Sequence, residues 1–197
     1  MQGLTRQLGD YTQSMDKLHA HFAEPYPADW TVRQAVAAYL QENGFPLEDY
    51  DKPWVQINIW SLRFPFPNPP SRQLAVRFHD LHHVVTGYGT DPCGEAEISA
   101  WETRRGVRVF SWFVRSIVWS GFLFGMFHSP RRTLAAWKAG HGQASAGLQP
   151  VTMARYQELL DLDLGALRQI YGLPTGGIGG ARALHSGAPS PRSAPES

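Results

Sequence analysis

The sequence predicts a mainly α single domain, a helical bundle with one short extended or β element around residues 54–66. Three features support this fold class. Thr31 and Gln34 have the spacing of a capping box, which opens a helix, and Asn43–Gly44 is a typical helix end. Within the extended element, apolar residues alternate with polar ones, as they do in strands. Leucines at helical spacing predict a final helix over residues 151–171.

The remaining elements follow in chain order. Residues 4–22 form a predicted first helix, which the pair Tyr26–Pro27 ends. In the extended element, Pro65 and Pro67 cannot donate backbone hydrogen bonds, so they restrict it to a sheet edge or an extended arm. From Pro174 onward the chain has few apolar residues, which predicts disorder.

Composition and length limit the class of protein. At 197 residues the chain suits one helical domain, expected over residues 1–173, with a tail rich in Gly, Pro, Ser and Ala over residues 174–197. A net charge of +1, without a basic patch interleaved with aromatics, argues against nucleic acid. The single cysteine, Cys93, fits a reducing compartment, and no secretory signal precedes the first periodic segment. Arginine far outnumbers lysine, which suggests a bacterial genome, and we expect a cytoplasmic location.

The most informative stretch runs from His79 to Glu95. On a helix of about 3.6 residues per turn, His79 and His83 lie about 40° apart around the axis, and Asp80 lies about 60° beyond His83. Two imidazoles and a carboxylate on one sector are ligands that a divalent cation prefers, and Glu95 can add another oxygen. The spacing therefore predicts a metal site formed by His79, Asp80, His83 and Glu95, which are also the candidate catalytic residues.

The eleven residues between His83 and Glu95 support this geometry. Gly87 lies in a glycine-rich stretch that ends the helical pattern, since glycine adopts the left-handed conformation that closes a helix. Asp91 suits an N-cap and Pro92 suits the first position of a second helix. The carboxylate of Glu95 can then fold back over the histidine pair. Structural roles also explain these residues one by one, namely imidazoles bonded to backbone carbonyls and a carboxylate favoured by a helix dipole.

The same run resembles the signature of the ubiquinone biosynthesis protein 4 family, also called the coenzyme Q assembly family. That signature is His-Asp, two residues, His, eleven residues and Glu, and it matches His79, Asp80, His83 and Glu95 without a gap. The likeness is close over about residues 73–106. Four further residues match the frame around the motif: Gly87, Thr90, Gly94 and Glu102.

The resemblance implies a mostly helical, metal-dependent protein of ubiquinone or related isoprenoid-quinone biosynthesis. It implies an enzyme that replaces the C1 carboxyl group of a polyprenylated benzoate-type ring by a hydroxyl. The expected cofactor is a divalent metal ion, zinc first, with iron, manganese, cobalt or magnesium as alternatives. The expected partners are an apolar isoprenoid or quinone-precursor ligand, peripheral contact with the inner membrane, and a homodimer or a complex of quinone-biosynthesis proteins.

Three residues near the motif require separate predictions. His82 adds a third imidazole that could compete for the metal, and Cys93 is expected to be a small buried thiol. Glu102 lies two helical turns beyond the motif, about 10 Å further along the axis. We therefore predict that Glu102 forms a salt bridge with Arg77 or Arg105.

The segment Val107–Phe127 is the second informative feature. Its most apolar part, Ser116–Phe127, is shorter than the about 20 residues that a membrane-spanning helix needs. A core helix is expected; the wall of a lipid cavity or a membrane-docking face, and a membrane span, are the alternatives. Arg131 and Arg132 follow at the start of the next helix, where they either meet a phosphate or carboxylate head group or remain solvated.

Two other function classes compete with an enzyme acting on a quinone precursor. A non-catalytic lipid-binding scaffold of a quinone-biosynthesis complex would use the cation only to join two helices. An HD-type metal-dependent phosphohydrolase also uses a His-Asp pair, together with an upstream histidine (His19 or His21) and a downstream aspartate (Asp161 or Asp163). In that class, loss of Asp161 would release the metal, whereas loss of Glu95 would not.

Overall fold

The computed structural model describes residues 26–59, 62–141 and 151–178, and the prediction of a helix over residues 4–22 lies outside them. The described chain is mainly α, as predicted, with one small antiparallel sheet. Its helices are α1 (Val32–Asn43), α2 (Pro70–Thr86), α3 (Pro92–Arg105), α4 (Trp112–His128), α5 (Pro130–Ala139), α6 (Met153–Leu160) and α7 (Leu164–Ile170). The strands are β1 (Trp54–Ile59) and β2 (Leu62–Pro67), and short 3₁₀ helices span Leu47–Tyr50 and Val107–Val109.

Helix α1 begins and ends where the sequence predicts. The Thr31 side chain accepts a hydrogen bond from the Gln34 amide, and the Gln34 side chain accepts one from the Thr31 amide. Two of the amide donors at the start of the helix are thereby satisfied. Gly44 ends the helix with φ of 65°, a left-handed conformation that glycine adopts without steric cost.

The extended element around residues 54–66 is a β-hairpin of β1 and β2. Trp54 pairs with Pro67, and Gln56 pairs with Pro65. Both prolines are tolerated because each strand of a two-stranded sheet has a free edge, where a missing N–H breaks no ladder bond.

The core lies between α1, α2, α3, α6 and α7. Its largest fully buried apolar side chains are Phe78, Leu81, Tyr88, Ile98, Trp101, Leu159, Leu164, Leu167 and Tyr171. The Arg168 guanidinium is also fully buried, and it donates hydrogen bonds to four backbone carbonyls, those of Tyr26, Val84, Val85 and Thr175. These bonds fix α7 against the C-terminal end of α2, the helix that carries the histidine pair.

The prediction of one final helix over residues 151–171 is wrong, because α6 and α7 are separate helices. The link between them forms backbone hydrogen bonds with the segment before α1. The Leu162 carbonyl accepts from the Val32 amide at 2.9 Å, and the Leu164 amide donates to the Trp30 carbonyl at 2.8 Å. Ile178 packs against the core, beyond the predicted domain end at residue 173, and residues 179–197 lie outside the described chain.

Helix α4 is not the core helix that we expected from its composition. Of its seventeen residues, only Val114, Val118 and Gly125 are buried, and it packs mainly on α3. Trp112 and Phe127 are 77% and 84% exposed. No helix in the described ranges combines the length and apolar character needed to cross a bilayer.

Candidate metal centre

Two helix ends bring the motif residues together. Helix α2 carries the histidine pair and ends at Gly87, which has φ of 78°. After a short loop, the Asp91 side chain accepts hydrogen bonds from the Cys93 and Gly94 amides and caps α3, with Pro92 at its first position. A side chain at Gly94 would overlap the Gly89 carbonyl, so only glycine lets the loop lie this close to the start of α3.

The structure brings three of the four predicted ligands to one point. The His79 Nε2 atom lies 3.2 Å from the His83 Nε2 atom and 3.2 Å from a Glu95 carboxylate oxygen. The other Glu95 oxygen lies 3.4 Å from the His83 Nε2 atom. Among the His, Cys, Asp and Glu residues of the described chain, the group able to hold a metal ion consists of His79, His83 and Glu95.

The second nitrogen of each imidazole decides what the first can do. The His83 Nδ1 atom donates to the Tyr88 carbonyl at 3.0 Å, and the His79 Nδ1 atom donates to the Glu102 carboxylate at 3.2 Å. In each neutral ring the Nε2 atom then carries no hydrogen and presents a lone pair. Two lone pairs and a carboxylate therefore converge, an arrangement that requires a cation or a proton between them.

The distances fit a small divalent cation. With metal–ligand bonds of about 2.0–2.1 Å and tetrahedral angles, neighbouring ligand atoms lie about 3.3 Å apart. The separations among His79, His83 and Glu95 are 3.2–3.4 Å. The donor set of two imidazoles and one carboxylate is one that zinc and non-haem iron both use in proteins.

Glu102 lies behind this cluster, so its predicted salt bridge with Arg77 or Arg105 is wrong. Its buried carboxylate accepts hydrogen bonds from His79 and, at 2.7 Å, from the His82 Nδ1 atom. Arg77 instead pairs with Asp51, and Arg105 donates to the Tyr171 carbonyl. A carboxylate behind a metal-binding histidine fixes its tautomer and increases its basicity.

His82 does not join the cluster. Its imidazole is fully buried, with Nδ1 on Glu102 and Nε2 3.1 Å from the Tyr171 hydroxyl. Burial lowers the pKa of His82 below its ordinary value, which keeps the ring neutral. The His82 ring therefore holds Glu102 in place and does not compete for the metal.

Asp80 lies outside the group of three, and its role as a ligand stays a prediction. Its buried carboxylate accepts a hydrogen bond of 2.5 Å from the Tyr50 hydroxyl and one of 3.5 Å from the Tyr39 hydroxyl. Burial raises the pKa of Asp80, although the neighbouring imidazoles of His79 and His83 oppose that shift. The Tyr39 ring also stacks on His83, with ring centroids 5.6 Å apart. These contacts give Asp80 a role in fixing the wall beside the cluster.

The charges around the cluster depend strongly on one another. Burial alone would lower the pKa of His79, but Glu102 and Glu95 raise it well above its ordinary value of 6.5. Burial alone would raise the pKa of Glu95 and of Glu102, but the adjoining imidazoles hold both below the usual range. Without a metal the cluster therefore retains a proton on His79, and a cation would replace that proton.

A cavity of about 700 Å³ opens beside the cluster. Its polar wall includes His79, Asp80, Glu95 and Glu102. Its apolar wall comes from α1, α2, β1, α4 and the segment before α4, with the side chains of Leu40, Val55, Ala75, Val76, Phe110, Val114, Ile117 and Val118. The candidate metal centre thus faces a space of the size and polarity of a small-molecule site.

The other candidate residues lie apart from the centre. Arg132 donates to Glu97 at 2.6 Å, whereas Arg131 is exposed. Asp161 pairs with Arg33 at the surface, and Asp163 precedes α7 as its N-cap. Cys93 is half-buried in the first turn of α3, whereas a buried thiol was predicted. His19 and His21 lie outside the described residues.

Comparisons with protein-family models, with curated proteins and with solved structures found no match to this chain. The family resemblance of the motif therefore stays a prediction, carried by its own residues. The candidate metal centre rests on the distances among His79, His83 and Glu95. Sequence reasoning missed the role of Glu102, although Glu102 already matched the frame of the motif.

Proposed function

We infer that this protein binds a divalent cation and an apolar isoprenoid-type ligand in one cavity, and acts on a quinone precursor. One observation carries the proposal: the cluster of His79, His83 and Glu95 opens into a cavity with largely apolar walls. The cation would meet the polar end of the ligand, and the apolar wall would hold its hydrocarbon part. The motif resemblance supplies the reaction class, replacement of a ring carboxyl group by a hydroxyl.

The residues of the chain have separate tasks in this proposal. His79, His83 and Glu95 would hold the cation, which when bound supplies Lewis-acid polarisation or activation of a bound oxygen species. Glu102 and the Tyr88 carbonyl orient the two imidazoles from behind. The Glu95 side chain is 45% exposed, compared with 0% for His83, so the open side of the cluster lies toward Glu95. Zinc is our first expectation for the metal and iron the second, because both accept this donor set.

Helix α4 supports delivery of such a ligand from a membrane surface. Its exposed apolar side chains include Trp112, Trp119, Leu123, Phe124 and Phe127. Between Glu102 and Glu158 the sequence contains no acidic residue, while exposed cations lie on or beside α4 and α5 at Arg108, Arg115, Arg131 and Lys138. An apolar face surrounded by cations is complementary to an anionic lipid surface. Ile117 and Gly121 of the same helix line the cavity, so the face and the cavity adjoin.

The competing functions make different demands. A scaffold would keep the cation and the ligand without converting the ligand. A phosphohydrolase of the HD type would place an aspartate such as Asp161 on the metal, but Asp161 is exposed and pairs with Arg33 at 2.6 Å. The geometry therefore favours a cluster that includes Glu95.

The test measures metal and lipid on freshly purified protein. Elemental analysis is expected to give one divalent cation per chain, and mass spectrometry of a solvent extract is expected to give an isoprenoid-tailed aromatic compound. His83→Ala should abolish the metal, whereas His141→Ala, a change of an exposed histidine, should leave it unchanged. Protein that retains neither metal nor lipid would contradict the proposal.

Activity separates enzyme from scaffold. The metal-loaded protein is incubated with a prenylated benzoate, dioxygen and a reductant, and the prenylated phenol is measured. Formation of the phenol by the wild-type protein, but not by variants at His83 or Glu95, supports an enzyme. Binding without conversion supports the scaffold and rejects catalysis.

A further inference from the structure

A second polar group lines the same cavity, away from the cluster. Arg72 lies in the first turn of α2, and Val76 and His79 follow it four and seven residues later along the cavity wall. Seven residues of helix correspond to about 10 Å along the axis. The cavity thus has one cationic side chain at the N-terminal end of α2 and the metal cluster further along.

The Arg72 guanidinium is held from two sides. Its Nη1 atom donates to the Asn68 side-chain oxygen at 2.8 Å, and its central carbon lies 5.1 Å from the centre of the Phe66 ring. Asn68 is itself buried, and its amide nitrogen donates to the Lys52 and Tyr50 carbonyls at 2.8 and 3.2 Å. The position of the guanidinium is therefore fixed before any ligand arrives.

Most of the hydrogen-bonding capacity of Arg72 is unused. A guanidinium has about five N–H donors, and within the described chain one hydrogen bond, to Asn68, is present. No described carboxylate lies within salt-bridge distance of Arg72. By contrast, Arg77 pairs with Asp51 and Arg132 pairs with Glu97. Partial burial lowers the pKa of Arg72, against the opposing charge of Asp80, as expected for a desolvated cation without a close counter-ion.

We propose that Arg72 binds the anionic group, a carboxylate or a phosphate, of the molecule that occupies this cavity. Arginine suits this role because its fork of donors matches both anions with paired hydrogen bonds. This proposal rests on the proposed ligand-binding function and specifies the class of ligand. The ligand is an acidic amphiphile that carries an acid group on Arg72, in addition to the polar end that faces His79 and Glu95.

The experiment compares three probes that share one alkyl chain: decanoate, decyl phosphate and decanol. Their affinities for the wild-type chain and for Arg72→Gln, Arg72→Lys and Arg33→Gln are measured by titration calorimetry. Arg33→Gln is the matched control, because Arg33 is exposed, pairs with Asp161 at the surface and does not line the cavity. Each titration is repeated after removal of metal with EDTA, which separates binding at Arg72 from binding at the cluster.

We expect Arg72→Gln to weaken binding of one or both anionic probes by about 10- to 100-fold, the loss typical of a charge-assisted hydrogen bond. Decanol should bind the variant as well as it binds the wild type, which shows that the cavity is intact. Arg72→Lys should retain part of the preference for anions, and Arg33→Gln should retain all of it. The relative affinities of decanoate and decyl phosphate for the wild type identify which acid group the site prefers.

Three outcomes would overturn this assignment. Unchanged affinity of both anionic probes for Arg72→Gln would reject Arg72 and leave the apolar cavity in place. A preference for anions that disappears with EDTA would place the acid group on the metal cluster, which rejects Arg72 and supports the proposed metal function. Failure of all three probes to bind the wild type would reject the ligand-binding function together with this inference.

Discussion

Substitution of Glu102 by glutamine tests how the chain prepares His79 for a metal. The Glu102 carboxylate is buried and accepts hydrogen bonds from His79 and His82. A glutamine has nearly the same shape but no charge, and its amide group has one accepting oxygen and two donor hydrogens. Glu102→Gln therefore leaves the cluster atoms in place but weakens the orientation and basicity of the His79 ring.

The expected effect follows from these two hydrogen bonds. Loss of a partner that orients a metal-binding histidine costs about 10- to 100-fold in metal affinity, or about 1.4 to 2.7 kcal/mol. In the metal-free protein, two charge-assisted bonds are weakened, each of about 1.5 to 3 kcal/mol. Relief of the buried charge offsets part of this loss, so we expect the free energy of unfolding to fall by about 2 to 4 kcal/mol.

The assay is competition with a chelator of known affinity, combined with urea unfolding of the metal-free protein. Glu97→Gln is the matched control, because Glu97 is also a buried carboxylate of α3 but pairs with Arg132, away from the cluster. Both variants should lose stability, and Glu102→Gln alone should lose metal affinity. Equal metal affinities in the two variants would refute the role that we assign to Glu102.

Three further predictions concern the same centre. Gly94→Ala should lower the free energy of unfolding by more than about 2 kcal/mol and reduce the metal content, because the added methyl group would overlap the Gly89 carbonyl. Gly176→Ala, where the added methyl group meets open space, should change neither quantity. Urea unfolding and elemental analysis measure the two effects. Metal binding should release a proton, and affinity should fall about tenfold per pH unit below the raised pKa of His79; calorimetry in two buffers of different protonation enthalpy measures this proton. Asp80→Asn should retain one metal per chain by elemental analysis, because Asp80 lies outside the group of three; loss of the metal would support the predicted role of Asp80 as a ligand.

The same pKa shifts set the stability of the metal-free protein. The raised pKa of His79 gives stability that is complete below pH 6.5 and is lost as pH rises through that pKa. The lowered pKa values of Glu95 and Glu102 give stability that is present above pH 4.5 and is lost as pH falls. The lowered pKa of buried His82 gives stability that is present above pH 6.5 and is lost as pH falls. The metal-free chain should therefore have its highest melting temperature near pH 6.5, whereas a curve that keeps rising above pH 7 would contradict the protonated cluster.

The sequence was sufficient where local signals decide the structure. The Thr31 capping box, the left-handed Gly87 and the pair Asp91–Pro92 set helix ends through contacts within a few residues, and the structure has each of them. Because those ends are fixed locally, the spacing from His83 to Glu95 was enough to bring three of the four predicted ligands together.

Glu102 shows why the rest of the centre was missed. Separation along the α3 axis suggested that Glu102 lies too far from the cluster, but side chains lean toward the N-terminus of a helix and extend from it. The His79 ring also has two nitrogens on different sides, so Glu95 contacts Nε2 while Glu102 contacts Nδ1. The distance along the helix axis therefore led us to exclude a contact that the side chains of His79 and Glu102 form.

Helix α4 and the C-terminal helices depend on distant contacts. A helix that is apolar on all sides gives no periodic signal for which face is buried, so composition suggested a core helix. The break between α6 and α7 results from backbone bonds to residues more than a hundred positions earlier, at Trp30 and Val32. No pattern within residues 151–171 encodes those partners.

The most direct test of the account is anomalous X-ray diffraction from crystals of the metal-loaded protein, recorded at the absorption edge of the bound element. We expect one strong peak within about 2.0–2.3 Å of the Nε2 atoms of His79 and His83 and of a Glu95 oxygen. A peak elsewhere in the chain, with the three side chains bonded only to each other, would contradict the central claim.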